Sequence, residues 1–325
     1  MKILICSFTT PGYAPNELAE YLTSETGHQV RLVQCPAKHE RRFIPGWSHY
    51  QNFRQIINPV IEEIANGGEH FDIAIGPDPI FALACISLQK QGLVGRSIYW
   101  RLDYYPSFKY LNFVYQILEQ TVRKKVDTIW SISDPSLSHV KRSLSGTLTK
   151  TIHVPYLMHK RQMSRRVDIT TRRNACLWMG PDLDGSRELC TAACLSLGMK
   201  LYIADYSNPK LRVSQETLDL YLRECSIGLS PYSPEPKSPK YYADVSRIRR
   251  FLAHGMPVVT TSVTPTSKTI VDYNAGSICD WTADSIADSI QDCRANFEEM
   301  SNNAYDAAQH YTYEDWFGSR TLLHL

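Results

Sequence analysis

The stretch SRIRRFLAHGMPVVTT, Ser246–Thr261, decides the fold. Ile248, Phe251 and Leu252 recur at helical spacing, and Arg247, Arg249 and Arg250 fill the gaps between them. Ser246 is a suitable N-cap, and Gly255 sits where a helix ends in a left-handed turn. Pro257 cannot continue a helix, and the β-branched run Val258-Val259-Thr260-Thr261 reads as a buried strand. Helix, tight turn and buried strand in such close succession belong to a parallel α/β sheet. Arginines in a first helical turn oppose the helix dipole. Their presence is explained if an anion binds there.

Outward from this stretch the same alternation holds. In the first half, strand-like runs at 2–8, 29–35, 72–77, 97–103, 128–133 and 151–156 alternate with amphipathic runs at 14–27, 53–67 (kinked at Pro59), 80–92, 113–126 and 135–144. After a basic stretch, HKRQMSRRVDITTRR (159–173), the pattern restarts: strands at 175–180, 200–205 and 227–232, helices at 186–198 and 214–225, then the opening stretch. A mixed segment 267–280 and helices 284–300 and 302–311 follow. This pace predicts βαβ units with both sheet faces covered, in two doubly wound, Rossmann-like halves joined near residue 165 and facing each other across a cleft. The boundaries read as 1–160 and 173–310, with 311–325 a terminal helix returning to the first domain. The basic joint is most simply a solvated linker.

The chain has 325 residues, 43% apolar, and a formal net charge of +2, so it carries no overall signature of polyanion binding. Nine scattered cysteines without CxxC spacing read as small apolar residues in a reducing compartment. Ten histidines show no HExxH pair, which implies no metal site. No run of about 18 apolar residues suggests a membrane span. The opening MKILICSF reads as a first strand rather than a leader. These features place the protein in the cytoplasm.

Ligands of open parallel sheets bind beyond the carboxyl ends of the strands. The informative loops are therefore Thr9–Tyr13, Gly76-Pro77-Asp78, Asp103-Tyr104-Tyr105 and Ser133-Asp134 in the first half. In the second they are Gly180-Pro181-Asp182, Asp205-Tyr206 and Ser230-Pro231-Tyr232-Ser233.

The runs CSIGLSPYS and YYADVSRIRRFLAHGMPVVTT, with IYWRLDYYP, VDTIWSISDPS, TIHVPY and the terminal HYTYEDW, resemble GT-B glycosyltransferases, in particular the family 4 type and its relatives. The resemblance spans the chain and is specific at only these places. It implies a nucleotide-sugar donor of UDP or GDP type and transfer without a metal or other cofactor, with retention favoured over inversion. Acceptors in such proteins include glycans, lipid-linked sugars, small molecules and, in some phage enzymes, modified DNA. Ser246-Arg247 stands at the family's Ser-Lys position, ten residues before the proline. It assigns Ser246, Arg247 and Arg250 to the donor diphosphate, and Gly180, Ser230, Pro231 and Tyr232 to the nucleotide. Thr10, Gly12, Tyr13 and Tyr242 fall to the sugar or acceptor. Asp103 becomes the catalytic candidate, as base in an inverting course or as sugar-positioning group in a retaining one. Arg249 reads as a surface or supporting residue.

The sequence also departs from the family. Gly180 is followed by Pro181 where the family has arginine, the loop 181–186 lacks its lysine, and Tyr242 and Arg250 replace its paired glutamates. Arg250 cannot accept a ribose hydroxyl's hydrogen bond, though it could replace the missing loop arginine. A non-catalytic GT-B-like nucleotide- or glycan-binding protein is therefore the alternative, and an unrelated two-domain α/β protein such as an epimerase or a periplasmic-type binder, the latter weakened by the reading of the opening run as a strand, is a third. The basic-aromatic run KHERRFIPGW (38–47) suggests an acceptor loop able to touch an anionic lipid surface at the membrane's inner face. No stable protein partner is implied.

Two complete α/β halves joined by a poorly patterned basic segment predict closure on the donor about a hinge near residues 157–172 and near the C-terminal crossing helix. Small-angle scattering should show a more compact particle with saturating UDP or GDP; identical curves count against closure.

Overall fold

The structure is a computed structural model. It describes residues 1–9, 14–35, 55, 58–102, 113–144, 148–164, 172–182, 184–235 and 238–319. The chain divides into two compact units, Met1–Pro155 and Tyr156–Leu325.

In the first unit, strands β1 (Lys2–Phe8), β2 (Gln29–Cys35), β3 (Phe71–Pro77), β4 (Val94–Arg101), β5 (Thr128–Ser131) and β6 (Lys150–His153) form a parallel sheet in the order β2-β1-β3-β4-β5-β6. The order reverses between β1 and β3. Helices α1 (Ala14–Ser24), α2 (Asn58–Gly67), α3 (Asp78–Lys90), α4 (Phe113–Arg123) and α5 (Asp134–Ser143) connect the strands. Pro59 lies in the first turn of α2, where its missing N–H costs no intrahelical bond; residues 53, 54, 56 and 57, on which the expected kink also rests, lie outside the described residues. Gly76 allows α3 to pass close to β3, since a Cβ there would lie 2.4 Å from the Ala82 amide nitrogen.

In the second unit, β7 (Arg173–Met179), β8 (Lys200–Ala204), β9 (Cys225–Ser230), β10 (Val258–Thr260) and β11 (Gly276–Ile278) form a parallel sheet in the order β11-β10-β9-β7-β8, reversing between β7 and β9. The helices are α6 (Ser186–Ser196), α7 (Gln215–Glu224), α8 (Ser246–Ala253), α9 (Ser267–Asp272), α10 (Ala283–Ala295), α11 (Phe297–Gln309) and α12 (Tyr313–Ser319). The break between α10 and α11 falls at Asn296, earlier than the run 284–300 suggested. Its side-chain amide caps α10 by donating to the Asp292 carbonyl and carboxylate.

The period of two along β7 divides two cores. Ala175, Leu177 and Met179 join a cluster with Ile248, Phe251 and Leu252 of α8, whereas Cys176 and Trp178 join one with Cys190, Cys194, Ile286 and Ile290 of α6 and α10. Both faces are thus buried, as a parallel sheet requires. All nine cysteines are free thiols, and eight of them are buried.

The basic joint is more structured than a solvated linker. Residues 156–164 belong to the second unit: the Met158 and Tyr313 amides bond the Tyr311 and Met158 carbonyls, Lys160 N–H donates to Glu314, and Ser164 N–H to the Ala253 carbonyl. The sequence had placed residues up to 160 in the first domain. At the other end of the joint, Arg172 donates to the Leu222, Cys225 and His254 carbonyls. It caps the ends of α7 and α8 with a guanidinium. Residues 165–171 of the joint lie outside the described residues. The packing of residues 311–319 against 156–160 is likewise internal to this unit.

Gly228 of β9 is the point of closest approach of α8. An added Cβ would lie 2.4 Å from the Phe251 ring. Gly228→Ala should therefore overpack this core and lower stability by about 1–3 kcal/mol, read as a fall in the urea midpoint monitored by circular dichroism.

Candidate functional site

The strand-order reversal between β7 and β9 puts two strand ends side by side with no crossover above them, the geometry in which doubly wound sheets bind ligands. Gly180-Pro181 leaves β7 there and Pro231-Tyr232 leaves β9. Helix α8 starts nearby.

Arg247, half-buried in the first turn of α8, spans this gap. Its guanidinium lies 5.0 Å from the centroid of the Trp178 ring and 5.6 Å from that of Tyr232, and Nη2 donates to the Pro181 carbonyl at 3.3 Å. Trp178 is the penultimate residue of β7 and fully buried. Two aromatic faces attract the cation without neutralising it. Among the described residues Arg247 has no carboxylate within ion-pair distance. Gly180 makes room for it: φ is +85°, and a Cβ would lie 2.8 Å from Arg247 Nη2.

Ser246 is exposed and is the first residue of α8, not its cap. Val245 holds the cap position, and its N–H donates to Thr266 Oγ1. The Ser246 and Arg247 amides have no intrahelical acceptor and no side chain caps them, while the Ile248 amide bonds the Val245 carbonyl at 3.0 Å. Amide dipoles and the Arg247 charge therefore converge at one end of one helix, which suits an anion.

The start of α6 is different. Asp182 accepts from the Gly185 amide (3.1 Å) and Asp184 from the Ser186 amide (3.3 Å) and the Ser233 amide (3.0 Å). Arg187 reaches Asp182 at 3.8 Å and Asp205 at 3.5 Å, with its guanidinium 6.0 Å from the centroid of the Trp178 ring. Two carboxylates already occupy the positive end of this helix. That is the physical counterpart of the missing arginine and lysine in this loop.

Tyr232 is buried. Its N–H donates to Thr261 Oγ1, its carbonyl accepts from the same hydroxyl, and its phenol accepts from Ser230 Oγ at 2.9 Å. Burial raises its phenol pKa, partly offset by Arg247. The ring face, not the backbone, is what Tyr232 presents to Arg247, with Lys240 Nζ 5.6 Å from the same ring centroid. Tyr242 lies at the end of the 3-10 turn Pro239–Tyr242, its ring edge-on to exposed Tyr241.

The structure thus brings Gly180, Tyr232 and Arg247 together, with Ser230, Pro231 and Ser246 adjacent in the chain. It does not bring Arg250 to them: that side chain extends towards Asp219 of α7, 4.0 Å away. Arg249 is buried, which leaves the supporting reading of this residue and not the surface one. Thr10, Gly12, Tyr13, Asp103 and the run 38–47 lie outside the described residues. Trp178, Arg187 and Lys240 were not singled out from the sequence. Only the tryptophan at a strand end, in CLWMG, could have signalled its role.

In the first unit, Asp78 has φ +74° and accepts the Ile80 amide at 2.9 Å, so its side chain stabilises the turn that starts α3. Behind β4, Arg101, Glu119 and Arg123 form a buried ion-paired cluster, with Glu119 Oε1 2.5 Å from Arg101 and 2.7 Å from Arg123. The two guanidinium groups hold the Glu119 carboxyl below its usual pKa range despite burial.

Among the described residues no helix is long and apolar enough to cross a membrane, and no group of three metal-ligating side chains gathers. No protein-family model and no curated protein matches the chain. Solved structures do. A sucrose-phosphate synthase from Thermosynechococcus elongatus matches with TM-score 0.73 at 13% identity, over 99% of this chain and 98% of that one. Anabaena HepE in complex with UDP matches with TM-score 0.67 at 11% identity, over the full length of both chains. An S. aureus MnaA–UDP structure matches with TM-score 0.57 at 12% identity, over 99% of this chain and 98% of that one. The fold is therefore GT-B, with two Rossmann-like domains.

Gly180→Ala would force a left-handed backbone on a residue with a Cβ, costing about 1–2 kcal/mol, and would push Arg247 off its seat. The expected outcome is a lower melting temperature together with a weakened anion site. Calorimetric titration with UDP or GDP at a temperature where the variant is folded checks the second effect.

Proposed function

We propose that the chain is a glycosyltransferase that takes a sugar from a UDP- or GDP-type nucleotide-sugar and that Arg247 neutralises the departing diphosphate. The observation that carries this reading is Arg247 itself: a guanidinium held by two aromatic faces, without a carboxylate partner among the described residues, at the strand-order reversal of a GT-B second domain. The fork of an arginine matches phosphate oxygens in bidentate fashion. Solved structures of the same fold include one in complex with UDP and one in complex with UDP-glucose.

In the reaction the bond between the anomeric carbon and the β-phosphate oxygen breaks, and its electron pair leaves with the diphosphate. An acceptor hydroxyl oxygen bonds the anomeric carbon and gives up its proton. Arg247 and the first amides of α8 stabilise the charge developing on the diphosphate, the place where preorganised donors contribute most. This role lets transfer proceed without a metal. Asp103 is our candidate in the first domain. It holds the sugar in a retaining course, which we favour, or takes the hydroxyl proton in an inverting one. The acceptor is a glycan, a lipid-linked or small molecule, or modified DNA. The protein works in the cytoplasm, with 38–47 as its point of contact with a membrane face.

One observation favours a second reading, a nucleotide- or glycan-binding protein without turnover. Tyr242 and Arg250 occupy the places of the family's paired glutamates, and Arg250 extends towards Asp219 rather than the strand ends. Slow donor hydrolysis by the purified protein, assayed across a panel of nucleotide-sugars, separates the two.

Arg247→Ala should leave the fold intact and weaken UDP or GDP binding by about 10- to 150-fold, the equivalent of a charge-assisted contact of about 1.5–3 kcal/mol. Arg247→Lys should recover part of the loss, because it keeps the charge and loses the fork. Isothermal titration decides it: an alanine variant that binds both nucleotides as well as the parent overturns the assignment.

A further inference from the structure

Arg249, two residues beyond Arg247, is buried, and among the described residues none of its contacts is with the strand-end site. Its Nε and Nη2 both lie 3.1 Å from Asp244 Oδ1. Its Nη1 donates to Thr269 Oγ1 at 3.2 Å, and its guanidinium lies 3.3 Å from the Tyr311 ring centroid. The Tyr311 hydroxyl shares a hydrogen bond of 3.0 Å with Thr269 Oγ1.

Asp244 extends the cluster. It accepts the Tyr156 amide at 2.6 Å and the Thr266 hydroxyl at 2.9 Å. Thr266 Oγ1 in turn accepts the Val245 amide at 2.9 Å, at the cap of α8. Thr264 Oγ1 donates to the Ala243 carbonyl. Residues 243–245, which launch α8, are therefore bonded on both sides to the loop and first turn of α9. Four distant parts of the second unit meet here: residue 156, the α8 cap, the start of α9, and Tyr311.

This arrangement has a consequence for aim. Arg247 has one long hydrogen bond and two ring contacts to hold it over the strand ends, so its position depends on the rotation and pitch of α8. On one side Phe251 against Gly228 fixes the helix. On the other, the first turn has no side-chain cap of its own, and beside the apolar Ile248 it is Arg249 whose polar side chain ties that turn to the rest of the unit. A buried charged pair of this kind is weak evidence for stability but fixes geometry, because either partner left alone in the interior is heavily penalised.

We propose that Arg249 is a positioning residue: through Asp244, Thr269 and Tyr311 it sets the orientation of α8 and so keeps Arg247 seated between Trp178 and Tyr232. It touches no substrate. The proposal rests on the nucleotide reading above for its effect on binding but not for its effect on Arg247.

The test uses Arg249→Met, which keeps length and loses charge, and Arg249→Lys, which keeps the pairing charge and loses the planar stack. Thr266→Val, which frees both Asp244 and the Val245 amide from one side, covers the case in which the arginine variants do not fold. Ile290→Val, in the core cluster on the opposite sheet face, serves as a control for loss of stability alone. Calorimetric titration with UDP and GDP is run at a low temperature where circular dichroism shows each variant folded. Crystal structures of the parent and a folded positioning variant supply a ligand-free readout.

The expected result is a loss of roughly tenfold in affinity for Arg249→Met, a smaller loss for Arg249→Lys, and none for Ile290→Val despite its lower melting temperature. In the crystal structure of the folded positioning variant Arg247 should leave its place over Trp178. Unchanged affinity in a folded positioning variant, or an Arg247 still seated over Trp178, overturns the proposal. If the parent binds neither nucleotide, the functional reading fails, and the seat of Arg247 in the two crystal structures alone decides the positioning role.

Discussion

A parallel sheet must be covered on both faces, and in the second unit this constraint sets everything that follows. Leu177 and Trp178 are neighbours in the chain and belong to different cores. Leu177 packs in the cluster that contains α8, while Trp178 lies in the one formed with α6 and α10. Gly228 lets Phe251 of α8 approach β9 so closely that no side chain fits between them. A helix docked that tightly has little freedom to slide, and its first turn is delivered to the ends of β7 and β9.

The electrostatics at those strand ends are asymmetric. Two helices begin there, and each offers unpaired amides and the positive end of a dipole. At α6 the protein fills that end with its own carboxylates, Asp182 and Asp184, and surrounds them with Arg187 and the Ser233 amide. At α8 it adds a further positive charge instead. A bound anion would compete with existing carboxylates at the first helix and would complete the second. Aromatic rings are well suited to hold Arg247 in the meantime, because they attract the guanidinium without consuming its hydrogen-bond donors.

Tyr242 and Arg250, at the places where the resemblance noted from the sequence would put paired glutamates, each have a local setting. Arg250 lies on the flank of α8 that faces α7, within reach of Asp219. Tyr242 ends a 3-10 turn and packs edge-on against Tyr241. Both residues have structural surroundings of their own.

The sequence by itself determined the strand–helix alternation, both parallel sheets and the identity of the helix carrying Arg247. Apolar period and turn residues are local signals, and runs such as KILICSF and CLWMG carry them in full. It missed the break at Asn296, where an asparagine acts through the last turn of a helix rather than through periodicity. It also took Ser246 for a cap, and it left Arg249 open between a surface and a supporting place. Both outcomes have one cause. A cap or a buried charge depends on partners far away in the chain, here Thr266, Thr269 and Tyr311, and no local pattern in RIRRFL reports them. The same holds for Trp178 and Tyr232, which become neighbours of Arg247 only because the strand order reverses between β7 and β9. Which residues form an element is a short-range question, settled by backbone sterics and apolar spacing; which residues share a site is settled by the order in which strands pair, and only the tertiary structure holds that information.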